Sequence, residues 1–146
     1  MALTSPDDRF RSAAEALTPA RLVVLLYERL QRDIVDAEVA LSAGARYAAH
    51  KALLHAQEIV AELDGALDAN VWADAPRMSN IYRFVTERLV EANTRQDPTV
   101  LRDCLTVVEP LVETWREAWK ANAAGAVPAQ VVAAESGPRV ALDVAG

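Results

Sequence analysis

His50 and His55 are the only histidines of the chain and Cys104 its only cysteine, so metal or thiol chemistry would have to begin there. Di-metal sites in helix bundles need a Glu-x-x-His pair on each of two helices, with carboxylates from the others. His50 and His55 are five apart, which on one helix points them in different directions. His55 and Glu58 share a face, but in the reverse order and with no second pair. Rim histidines are the expectation, and no metal. Cys104 sits among apolar neighbours in LRDCLTVV, the setting of a core thiol, and it has no partner for a disulfide or a zinc site. The sequence holds no Gly-x-Ser-x-Gly, no phosphate-binding loop and no Cys–His pairing. Its acids stand beside basic residues at helical spacing, a pattern of surface pairs. The expectation is a protein that is not an enzyme and carries no cofactor.

Composition agrees with a role for surfaces. The 146 residues suffice for one domain with a real core, and the net charge of −6 with scattered Lys and Arg argues against nucleic acid. The N-terminal MALTSPDDRF has no hydrophobic signal core, and no apolar run approaches the roughly 20 residues that span a bilayer. A cytoplasmic protein without a membrane span is expected.

The elements that position these residues read as helices, rich in Ala, Leu, Glu and Arg. Ser5-Pro6-Asp7-Asp8 is a start signal for a short helix to about Leu17. Thr18-Pro19 starts a second, ending near Ser42 before Gly44. A third covers about 46–69, a fourth about 77–94, and a fifth starts at Asp97-Pro98 and reaches about Asn122. Pro110 inside the last removes the bond to the Thr106 carbonyl, which predicts a kink. The stretch DANVWADAPR is a loop whose Trp72 packs on a bundle end. The fold class is therefore all-α: an antiparallel four-helix bundle over 18–122, with an N-terminal cap segment over 1–17 and a flexible C-terminal tail over 123–146.

One stretch exceeds what a surface helix needs. Residues 22–27, LVVLLY, are apolar without a break and so point in every direction around the helix. Val23, Leu26, Leu30, Ile34, Ala37 and Leu41 continue as one stripe, the core face. Leu22 and Leu25 lie off it, and the positions that follow them, Arg29 and Asp33, are polar. Either the N-terminal segment covers this local surplus or a partner's apolar helix does.

The runs LVVLLYERL, KALLHAQEIVAELDGAL, NIYRFVTERLVEANTRQDPTVL and ETWREAW, in that order, resemble the flagellin-specific export chaperone (FliS) family over about residues 18–120. The resemblance implies a bundle that holds new flagellin in the cytoplasm, its disordered C-terminal segment folding into helices around the chaperone, and that docks on the export gate. It also implies an N-terminal segment lying in the groove when no client is bound, the part of the Phe10 region here. On this reading Leu22, Leu25 and Tyr27 line the client groove, the alternative being burial under the N-terminal segment. Ile81 and Tyr82 carry a family motif, with a core role as the alternative. Asn93 caps the end of its helix, and of Trp115 and Trp119 the second is partly open for contact. The tail islands Val131-Val132 and 140–144 are either simple disorder or an internal mimic of the client. A helix-bundle adaptor for another amphipathic partner is the competing function, and monomer and weak dimer both stay open.

Overall fold

A computed structural model describes residues 19–123, so the expected cap with Phe10 and the C-terminal tail lie outside the described residues. Four helices follow one another: α1 (Pro19–Ser42), α2 (Arg46–Gly65), α3 (Ala75–Arg95) and α4 (Val100–Ala123). Each packs on its neighbours in a ring, α1 on α2 and α4, and α3 on α2 and α4. Cross-helix side-chain pairs fix the antiparallel register. Asp33 meets His55 between α1 and α2, and His50 bonds Asn93 at 3.0 Å between the start of α2 and the end of α3. Ser79 Oγ donates to Asp64 at 2.8 Å where α2 ends and α3 begins, and Arg116 reaches Glu28 at 3.4 Å between α4 and α1. The chain is an all-α four-helix bundle.

The turns explain the helix ends. Gly44 takes φ +73°, its N–H bonds the Leu41 carbonyl at 3.2 Å, and the Ala45 N–H bonds the Ala40 carbonyl at 2.8 Å. This paired closure satisfies carbonyls that the end of α1 would otherwise leave bare, and glycine enters it without a Cβ clash. At the end of α3, Gln96 adopts the left-handed conformation (φ 53°) although it is not glycine. Its side-chain amide donates to the Asn93 carbonyl at 2.6 Å, so the end cap is Gln96. Asn93, expected to cap there, uses its side chain on His50 instead.

Three helix limits differ from the sequence reading. α2 stops at Gly65 rather than near residue 69, because Asp68 bends the chain: its carboxylate accepts the Asn70 N–H and its carbonyl the Trp72 N–H. α3 starts earlier than expected, at Ala75, with Pro76 in the first turn, where its fixed φ fits and its missing N–H is harmless. α4 starts at Val100, after Asp97 has accepted both the N–H and the hydroxyl of Thr99. α4 runs through Pro110 without interruption. Thr106 and Pro110 are both exposed, so water can meet the carbonyl that the proline leaves unbonded.

The core joins all four helices. Leu30, Ile34, Leu53, Leu89, Leu101 and Val108 are fully enclosed. Cys104 belongs to it, its thiol donating to the Val85 carbonyl at 3.8 Å, and burial pushes that thiol up to about 12. A thiol held neutral is a poor nucleophile.

Candidate functional site

The apolar run at the start of α1 resolves into two unequal parts. Leu22, Val23, Val24, Leu26 and Tyr27 are all buried, and only Leu25 stays exposed, at 37%. Tyr27, read from sequence as lining an open groove, is instead enclosed in the core, as Val24 is on a side that the sequence stripe left out. Leu22 is also enclosed (8%), although it lies off the main stripe. The physical reason is that α1 packs on both α2 and α4, so its buried arc is wider than one stripe. Of the surplus predicted there, Leu25 is the part that reaches solvent.

Tyr27 anchors an aromatic cluster instead. Its ring stacks on Trp115 of α4 at 6.0 Å between centroids, and Trp72 meets Trp115 edge-on at 6.5 Å. Its hydroxyl bonds that of Tyr82 on α3. Burial raises both phenols well above their ordinary range, so the pair stays neutral and supplies no acid or base near pH 7. Tyr82 is thus a core residue, and each hydroxyl satisfies the other where water is excluded.

Above this floor the α3–α4 seam opens into a cleft of about 260 Å³. Its walls are Met78 and Ile81 from α3 and Leu111, Trp115 and Ala118 from α4, with Trp72 of the preceding loop at one end. Asp74, Arg77 and Thr114 form its polar rim. Ile81 is half-buried, packed on the core yet facing the cleft, and Phe84 is exposed one turn further along α3 under the Arg88 guanidinium. The cleft lies below the roughly 300–1,000 Å³ usual for small-molecule pockets, and its lining is side-chain sized and apolar. It suits the ridge of another helix better than a cofactor.

Trp119 lies one turn beyond Trp115 on α4. It is half-buried, and Arg21 of α1 lies 4.7 Å above its ring while also approaching Glu28 at 3.7 Å. Arg21 and Trp119 therefore meet across the α1–α4 seam, Leu25 is exposed on α1 one turn beyond Arg21, and Ile81 with Trp115 borders the α3–α4 seam. All belong to the end of the bundle where α1 and α3 begin and α2 and α4 finish.

The sequence reading named Leu25, Ile81 and Trp119 as partner-facing, with a core role as the alternative for Ile81, and it missed how the cleft is built. Met78, Leu111, Trp115 and Ala118 have the spacing of ordinary core positions. Their spacing of three and four on two neighbouring helices carried the signal, but only the seam geometry shows that it opens. Asp33 was also missed. Read as a polar surface position, it is 3% exposed, held by Arg29 at 3.2 Å and by His55. Among the described residues no group of three or more His, Cys, Asp or Glu can hold a metal ion, and no helix is long and apolar enough to cross a membrane.

Comparison with known proteins agrees with this architecture. The family model described as flagellar protein FliS matches residues 5–122. The flagellar secretion chaperone FliS of Bacillus subtilis is 30% identical over 121 residues, covering 82% of this chain and 87% of that protein. The flagellar secretion chaperone FliS of Salmonella typhimurium is 30% identical over 111 residues, covering 75% and 79%. With one model matching most of its length and two relatives matched over three quarters or more of each chain, this chain belongs to the FliS family of flagellar proteins.

Proposed function

We propose that the protein is a cytoplasmic secretion chaperone that binds the C-terminal segment of flagellin, keeps it from polymerising early and delivers it to the flagellar export gate. The observation that carries this reading is the open apolar cleft between α3 and α4, walled by Ile81, Leu111 and Trp115, in a chain of this family. A helix laid along that seam would place apolar side chains against Met78, Ile81 and Leu111, and a continuation around α4 would reach Trp119 and Leu25. Tyr27 and Tyr82 support the floor from below rather than touching the client. Leu22 is buried and belongs to the supporting scaffold rather than to the client surface.

Such a protein works without ATP by mass action, since a ligand that binds one state withdraws it from competing equilibria. The client's ordering typically accompanies burial of about 1,000–3,000 Å². That area exceeds the cleft itself and requires contact along more than one seam. Mixing the protein with a flagellin C-terminal peptide is expected to give a one-to-one complex and a gain of helical circular dichroism beyond the sum of the parts. No complex, or a bound peptide that stays unstructured, would remove this reading.

A further inference from the structure

The family match stops at residue 122, yet the chain continues to 146, and α4, which carries a wall of the cleft, ends close beside it. Ala118 lines the cleft and α4 ends at Ala123, about 8 Å further along at 1.5 Å per helical residue. Gly125 and Pro128 follow at once, residue types that let a chain reverse direction. Beyond them come Val131-Val132 and the alternating Val140, Leu142 and Val144. Residues 121–134 contain no charged side chain, which is unlike a solvated linker.

We infer that segment 124–146 docks its valine-rich islands in the α3–α4 cleft of its own chain and competes there with the incoming client. The docking stands on the cleft, the path of α4 and the composition of the segment; only the competition rests on the proposed client. A tether this short sets an effective concentration in the mM range, so islands of mM intrinsic affinity fill the cleft about half the time. The segment then weakens binding of any competitor for the cleft by roughly twofold, because about half the molecules are open.

The test uses the full chain and a full-length variant with Val131→Ser, Val132→Ser, Leu142→Ser and Val144→Ser. Trp72 and Trp115 border the cleft, so acrylamide quenching of tryptophan emission reads its occupancy without any client. The variant is expected to be quenched more strongly than the parent, and a peptide of residues 126–146 added at mM concentration should restore protection. The variant should also bind the flagellin peptide about twofold more tightly. Equal quenching of parent and variant overturns the docking. So does a cleft opened only by Phe10→Ser, which would assign it to the N-terminal segment, or quenching that varies with protein concentration, which would assign it to a second copy. Quenching that differs while the flagellin peptide binds neither form keeps the docking and removes the client reading.

Discussion

The seam between α1 and α2 and the seam between α3 and α4 are built from similar residues to opposite ends. The first is the more extensively packed, closed by the Gly44 turn and by Asp33 held between Arg29 and His55. The second meets through fewer contacts and leaves a cleft whose walls are already apolar. A buried carboxylate on one seam tolerates only the arrangement that supplies its partners, whereas apolar walls accept any side chain of suitable size. The contrast suggests that stability is concentrated on one side of the bundle and adaptability on the other.

The strongest way to break that comparison is to damage each side and ask what is lost. Leu53→Ala on α2 removes a fully enclosed side chain and is expected to cost about 2–5 kcal/mol in urea unfolding. Molecules that remain folded should bind the flagellin peptide as before. Ile81→Glu on the cleft, and Leu25→Glu beside the α1–α4 seam, should do the reverse. Each is expected to weaken peptide binding by about 2 kcal/mol or more in calorimetric titration, with little change in the unfolding midpoint for exposed Leu25 and a moderate loss for half-buried Ile81. Unfolding of the Leu25 variant would show that the faces of α1 are wrongly assigned.

The hydroxyl pair beneath the cleft sharpens the contrast. Tyr82→Phe removes the first of the two hydrogen-bond partners of the buried Tyr27 hydroxyl, leaving Trp115, and should cost about 1 kcal/mol. The double variant with Tyr27→Phe should cost less than the sum of the two single changes, because the bond between the hydroxyls is lost only once. A smaller effect concerns pH. Burial holds the Cys104 thiol protonated up to about 12, while in the unfolded chain a thiol ionises near about 8.5. The stability this contributes is complete below the lower value and is lost as pH rises between the two, since only the unfolded chain releases the proton there. Buried Tyr27 acts in the same direction at higher pH. Thermal midpoints followed from pH 8 to 11 should therefore fall, and less steeply in Cys104→Ala.

The elements were legible from the sequence because their signals are local. The Pro19 start, the Gly44 stop and the stripe from Ala49 to Leu63 depend on residues within a few turns of one another, and the helices formed there. What escaped depends on pairs far apart in the chain. Asp33 reads as a surface acid until His55 is brought to it across 22 positions. Tyr27 reads as surplus until Trp115 and Tyr82 enclose it. The cleft is harder still: Met78, Ile81, Leu111 and Trp115 have the spacing of ordinary core positions, and only the separation of two helices distinguishes a packed seam from an open one.

Hydrogen–deuterium exchange of the full chain, with and without saturating flagellin peptide, tests the division of labour between the seams most directly. The account predicts new protection in the first turns of α3 and the last turns of α4, around Ile81 and Trp115, and near Leu25 at the start of α1. Exchange around Asp33 and His55 should hardly change. Protection gained along the outer faces of α1 and α2, with the α3–α4 seam exchanging as freely as before, would contradict it.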